Sequence, residues 1–277
     1  MKIKFLGTAA AESVPAISCH CDVCKYARNA GGRNIRSRSQ ALVNDDLLID
    51  FNADTLWHVV ANNIDMGRIN DCLITHSHGD HLYTEEICNY RPDYCHGRTV
   101  PMTFYAGQSG YDKISAVANA DYMRGAVQAV LVGVGDVFTV CGGKYTVTAM
   151  QADHDQSSSP LLYSVADGTK RMLYGHDTGY FPDATWQTLA TLGRHDLVTL
   201  DCTGCLALGG DLVSYHMSFG TVLKVVARMK QIGVADDGTT VIVNHFSHNG
   251  GQAYDQMIDA CKTYGVIVSY DGMEIDF

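Results

Sequence analysis

Short apolar runs that stop at polar clusters recur along the chain. Cys72-Leu73-Ile74-Thr75 leads into His76, residues 197–200 lead into Asp201, and residues 241–243 lead into Asn244-His245. Runs of this length, rich in aliphatic and β-branched residues, predict buried strands, with the polar clusters in the loops that leave them. A first strand is expected over residues 2–7, ending at Gly7-Thr8. Residues 41–43 and 47–51 predict a hairpin around Asn44-Asp45-Asp46. Residues 102–106 predict another strand. Over residues 136–151, Val137, Val140, Tyr145, Val147 and Ala149 predict a hairpin turning at Gly142-Gly143. Residues 161–165 and 171–175 read as two strands joined at Asp167-Gly168-Thr169. Residues 266–270 and 273–275 predict a terminal hairpin around Asp271-Gly272.

Helical spacing lies between these runs. Asp54 is placed to cap a helix over 55–63, with Leu56, Val59 and Val60 on one face. A second helix fits 183–192. A third starts after Ser218, carries Val222, Val225, Val226, Met229 and Ile232 on one stripe, and stops at Gly233. Tyr254, Met257, Ile258, Cys261 and Tyr264 mark the last, closed by Gly265. Residues 8–39 show little periodicity and read as a long loop of the functional or pinned kind. Residues 82–128 read as partly helical and as a cover for the active site. Strand runs with helices between them, and polar clusters at strand ends, predict an α/β fold, an αββα four-layer sandwich. No repeat or linker divides residues 1–277, so one domain is expected.

Bulk properties narrow the function. The formal net charge of −10 argues against a nucleic-acid platform, which needs a basic face. No apolar stretch approaches a membrane span. The amino terminus reads as a strand and not as a signal peptide, so the cytoplasm is expected, with the 10 Cys free or metal-bound.

The densest chemistry is His76-Ser77-His78-Gly79-Asp80-His81. Neutral imidazole and ionised carboxylate are ligands for Zn²⁺, Mn²⁺ or Fe²⁺. In an extended segment His76 and His78 project to one side, whereas adjacent Asp80 and His81 cannot share a direction. Two metals side by side suit this pattern better than one. His154, Asp177 and His245, each just after a predicted strand, are the further candidate ligands.

The hexapeptide resembles the HxHxDH signature of the metallo-β-lactamase superfamily. The resemblance implies the αββα fold over the whole chain. It also implies one metal on His76, His78 and His154, and another on Asp80, His81 and His245. Asp177 and a hydroxide would bridge the two; His176 is a neighbour and not a ligand. Asp80 and His216 are the candidate catalytic residues. His216, in Ser214-Tyr215-His216-Met217-Ser218, precedes a helix and is a candidate general acid, with Asp201 placed to orient it. Phosphodiesterase relatives carry a similar histidine.

Cys19, Cys21 and Cys24 form C-x-C-x₂-C, a metal signature in a reducing compartment. His20 is spaced too tightly to complete the set. The triplet resembles that of cyclic phosphodiesterases of phosphonate breakdown, in which a second histidine closes a structural zinc; here that is His248. A related family of quinone-cofactor biosynthesis carries a similar triplet. Arg33, Arg36 and Arg38 form a basic cluster, either an anion contact or a solvated loop. Cys202 and Cys205 have no second pair to complete a site.

The resemblance implies a metal-dependent phosphoric diester hydrolase acting on a small or cyclic phosphodiester, specifically phosphoribosyl 1,2-cyclic phosphate. Its cofactors would be two divalent ions, Zn²⁺ or Mn²⁺, plus one structural Zn²⁺. Alternatives on the same scaffold are transfer-RNA 3′ processing, lactone or thioester hydrolysis, and a non-enzymatic carrier role in cofactor biosynthesis. The expected partner is a small-molecule substrate, with no membrane or nucleic acid; a homodimer stays open.

Overall fold

A computed structural model describes residues 1–206 and 214–277. The first six strands are β1 (Lys2–Gly7), β2 (Gln40–Val43), β3 (Leu47–Ile49), β4 (Asp71–Leu73), β5 (Met102–Ala106) and β6 (Val127–Leu131), and they lie in one sheet. The next seven build a second sheet: β7 (Val137–Val140), β8 (Tyr145–Gln151), β9 (Leu161–Ala166), β10 (Arg171–Gly175), β11 (Leu197–Asp201), β12 (Thr240–Asn244) and β13 (Ile267–Val268). The last strand, β14 (Met273–Asp276), returns to the first sheet beside β1. In each sheet antiparallel pairing gives way to parallel pairing, from β3 onward in the first and from β10 onward in the second. Ile3, Phe5, Leu47 and Leu73 of the first sheet meet Tyr145, Val147, Tyr163 and Ile242 of the second in a core between them. Burying each such side chain stabilises the fold by about 1.5–3 kcal/mol.

Helices cover the outer faces. Among α1 (Asp22–Ala30), α2 (Thr55–Asn62), α3 (Thr84–Ile87) and α4 (Gln108–Ala118), α4 packs Ile114 against Leu48, Ile74 and Phe104. On the second sheet lie α5 (Asp183–Leu192), α6 (Phe219–Gln231) and α7 (Tyr254–Lys262), which bury Trp186, Val225 and Met257 against Leu173, Val198 and Val243. The layers are therefore helix, sheet, sheet, helix, as expected. No helix among the described residues is long and apolar enough to cross a membrane.

Several local expectations are corrected. Residues 8–39 contain α1, whose N-cap is Cys21. In α2 the buried residues are Thr55 and His58, while Leu56 and Val60 are exposed. Hydrogen bonds decide that face: Gln40 Nε2 donates to Thr55 Oγ1 at 2.9 Å, and His58 Nδ1 lies 2.6 Å from Gln40 Oε1. The Asp54 carboxylate does not cap α2; it accepts from Arg38. Residues 266–275 are not a hairpin, because β13 pairs with β12 and β14 with β1, in different sheets. Asp271 holds the crossing by accepting from Thr8 and Ser37. Residues 82–128 are wall and not cover: they supply β5, α4 and part of β6 to the outer layers, and none lines the metal cavity described below. Of the arginine cluster only Arg33 is solvent-exposed, and the other two are taken up within the fold. Arg36 is buried, donates to Thr8 Oγ1 and stacks on Phe246; Arg38 pairs with Asp54; Arg33 stacks on Tyr270.

The pairing directions bring the carboxyl ends of β3, β4, β8, β10, β11 and β12 to one end of the sandwich, the usual place for a site in sheets of this kind. At β1, Gly7 passes so close to residue 38 that a Cβ would lie 2.0 Å from the Arg38 carbonyl oxygen, so only glycine fits.

Candidate metal centre

Loops leaving those strand ends carry every predicted ligand into one place. His76 and His78 follow β4, His154 follows β8, Asp177 follows β10 and His245 follows β12. Asp50, Asp177 and His245 have φ of +67°, +49° and +62°. Such left-handed conformations are uncommon for these residues and cluster at functional sites. Here they turn each side chain sharply inward from its strand.

Two groups of donor atoms result. His76 Nε2 lies 3.0 Å from His78 Nδ1, which lies 3.2 Å from His154 Nε2. In the second group His81 Nε2 lies 3.2 Å from Asp80 Oδ2 and 3.3 Å from His245 Nε2. Asp177 Oδ2 stands between the groups, 3.1 Å from His245 Nε2 and 3.6 Å from His76 Nε2. Bonds of about 2.1 Å to a tetrahedral ion give donor separations of about 3.4 Å. The observed spacing fits ions at both places. Asp177 Oδ2 is also buried without a hydrogen bond, although ring nitrogens crowd it. A buried carboxylate oxygen ringed by imidazole nitrogens is arranged for a cation.

Charge points the same way. Asp50, Asp80, Asp177 and Asp201 are four buried carboxylates in one cluster. Buried charge must be compensated. Burial lowers the His245 ring, yet Asp177 and Asp80 outweigh it and hold the ring up to about 10. Two dications would compensate the carboxylates and release those ring protons.

The far nitrogen of each histidine is also held, which fixes the ring for ligation. His81 Nδ1 donates to Asp50 Oδ2 at 2.7 Å, His245 Nδ1 to Thr203 Oγ1 at 2.8 Å and His154 Nδ1 to the Tyr215 carbonyl at 3.1 Å. His78 Nε2 faces Asp155 Oδ2 at 3.2 Å. Asp50, Thr203 and Asp155 were not singled out from sequence as site residues. Asp50 carries the signal that marked the others, a polar residue closing an apolar run. His176 is not a ligand: it bonds Thr199 and Asn244.

His216 stands at the open side. Its Nδ1 is 3.2 Å from both Asp201 Oδ2 and Asp177 Oδ1. Burial lowers its pKa, but Asp201 outweighs this and the ring titrates above its ordinary value. It lines a cavity of about 390 Å³ together with His78, Asp80, His154 and His245.

The cysteine cluster lies at the edge of this site. Sγ atoms of Cys19, Cys21 and Cys24 and a nitrogen of His248 lie within 4.8 Å of one another. His248 Nδ1 is 3.7 Å from Cys19 Sγ and 3.5 Å from Cys21 Sγ. Tetrahedral zinc with about 2.3 Å Zn–S and 2.05 Å Zn–N bonds sets this spacing at about 3.6 Å, so the four fit a closed structural site. The backbone N–H of Cys21 lowers the Cys19 thiol, whereas burial pushes Cys24 up to about 11.

Residues 48–267 match the β-lactamase superfamily domain. The chain belongs to that superfamily. As a superfamily member with these donor clusters, it is a metal-dependent hydrolase that uses divalent metal. Solved structures repeat the fold. Zn²⁺-bound PqqB from Methylobacterium extorquens superposes with a TM-score of 0.77 at 19% identity, over 100% of each chain. A diphosphatase from the PhnP family gives 0.71 at 18%, over 100% of this chain and 98% of its own. Human tRNase Z, short form, gives 0.62 at 16%, over 100% of this chain and 99% of its own. No curated protein sequence matches the chain.

Proposed function

We propose that this superfamily member is a phosphodiesterase that hydrolyses a small or cyclic phosphodiester. It would bind two divalent ions, Zn²⁺ or Mn²⁺, on the histidine and aspartate groups, and one structural Zn²⁺ on Cys19, Cys21, Cys24 and His248. The observation that carries this reading is the position of His216, 3.2 Å from Asp177, the carboxylate between the two donor groups. When bound there, two divalent ions supply Lewis acidity toward phosphoryl oxygens and a hydroxide nucleophile near neutral pH. A ligand set of nitrogen and oxygen alone, with a shared carboxylate and no thiolate, favours hard anions such as phosphate esters.

An alkoxide leaving group needs a proton, and His216 is the group placed to give it. Asp201 accepts from Nδ1 and fixes the ring. Among the described residues nothing bonds Nε2, which leaves that nitrogen to protonate the leaving oxygen. Thiolates leave without such help, which sets thioesters behind phosphodiesters as substrates. The net charge of −10 stands against an RNA substrate. The PhnP-family neighbour, named as a diphosphatase, supports phosphoryl chemistry, and the sequence resemblance supports phosphoribosyl 1,2-cyclic phosphate as the finer candidate.

The test is side-by-side turnover of bis(p-nitrophenyl) phosphate, the cyclic ester, a lactone, a thioester and a precursor transfer RNA. The diesters should be fastest. Faster lactone, thioester or RNA cleavage would move the protein to that branch.

A further inference from the structure

One wall of the cavity takes no part in holding metal. It is formed by Ala10, Ala11, Glu12, Ser247 and Asn249. Glu12 is held from both ends of its loop. Ala10 N donates to the Phe246 carbonyl at 3.0 Å, and Ser13 N donates to Ala10 O at 3.0 Å. The Glu12 carboxylate then accepts from Ser247 Oγ through Oε1, and the same oxygen lies 3.8 Å from His248 Nε2. Oε2 has no partner among the described residues, and neither has the Asn249 side-chain amide. A fixed acceptor and an amide that both donates and accepts therefore face the same space, unspent.

The wall has no cation. Among the described residues no lysine or arginine lines the cavity. Residues 207–213, outside the described part, contain neither. Arg38 touches the wall only from behind, donating to the Ala11 carbonyl while paired with Asp54. A phosphate directed at this wall would meet a carboxylate and nothing to neutralise it. Hydroxyl groups, by contrast, donate to carboxylates and pair with amides, and a charged acceptor makes the stronger bond.

We infer that Glu12 and Asn249 form a hydroxyl-binding subsite, so that the substrate's non-reacting part is an uncharged, hydroxyl-bearing group such as a sugar and not a second phosphate. This rests on the phosphodiesterase reading above and departs from its finer candidate: phosphoribosyl 1,2-cyclic phosphate carries a second, terminal phosphate, whereas a sugar cyclic phosphate with a free terminal hydroxyl fits the wall better.

The test uses monoester products, whose binding does not depend on turnover. Titration calorimetry on the metal-loaded protein compares ribose 1-phosphate with ribose 1,5-bisphosphate. Ribose 1-phosphate should bind more tightly. Glu12→Ala should weaken it by about tenfold or more. Glu12→Gln, which keeps the link to Ser247, should remove the discrimination against the bisphosphate. Zinc content of both variants, measured alongside, shows whether the His248 cluster is intact. Tighter binding of the bisphosphate to the unaltered protein, binding of neither sugar, or affinities unmoved by both variants would overturn the subsite. The phosphodiesterase reading fails separately, if the unaltered protein does not hydrolyse bis(p-nitrophenyl) phosphate, which carries no hydroxyl.

Discussion

His81 donates through Nδ1 to Asp50 Oδ2 at 2.7 Å, and both side chains are fully buried. Asp50 also accepts from the backbone and hydroxyl of Thr75, so one carboxylate ties the end of β3 to the start of the ligand loop. That contact leaves Nε2 of His81 facing Asp80, Asp177 and His245. Asp50→Asn keeps the shape and removes the charge. It should lower metal affinity at the Asp80 group by about 10- to 100-fold while circular dichroism stays unchanged. Unaltered affinity in a metal titration would mean that Asp50 only braces the backbone.

His216 is not needed to hold metal on this account. His216→Ala should cut kcat by about 10²- to 10⁴-fold with metal content intact. The loss should shrink for esters with acidic leaving groups such as p-nitrophenol, which need little protonation. Metal lost in the variant would instead make His216 a ligand, which its place beside Asp177 and Asp201 also permits geometrically.

Cys21 belongs to the four-donor cluster and also caps α1, since its Sγ accepts from Cys24 N. Cys21→Ser should remove one zinc per chain and lower the melting temperature by about 5–10 °C, the scale for opening a cross-link over a long loop. Zinc analysis and calorimetry on the variant check this. Unchanged zinc content would contradict the structural site.

His195 gives a pH signature away from the metals. It is buried, bonded to the Gly193 carbonyl and Ser164 Oγ at 3.0 Å each, and burial lowers it from 6.5 to about 4. The unfolded chain therefore takes up this proton at a higher pH than the folded one. The contribution is fully present above about pH 6.5 and is lost as pH falls toward 4, by roughly 3 kcal/mol. Urea unfolding of the unaltered protein and of His195→Gln at pH 7.5 and 5 isolates it. The variant should show the smaller loss, and equal losses would refute the assignment.

The candidate donors were legible because they sit in polar clusters that follow apolar runs, and a strand end fixes where such a cluster lies. What could not be read was partnership across the chain. Asp271-Gly272 signals a turn, but only contacts to Thr8 and Ser37 decide that the turn joins two sheets. The exposed face of α2 holds Leu56, Trp57 and Val60 because Gln40 and Ser37 draw His58 inward. Apolar spacing alone predicts the opposite face. Arg36 looked like surface charge until Phe246 and Thr8 enclosed it. Glu12 carried no motif, and only the fold brings it beside Ser247 and the cavity.

The most direct measurement is metal analysis coupled to turnover of bis(p-nitrophenyl) phosphate before and after chelation. About three divalent ions per chain are expected, two removed by chelator together with the activity and one retained. Zn²⁺ or Mn²⁺ should restore turnover. A protein that holds its metals at that ratio and cleaves no phosphodiester would contradict the phosphodiesterase reading.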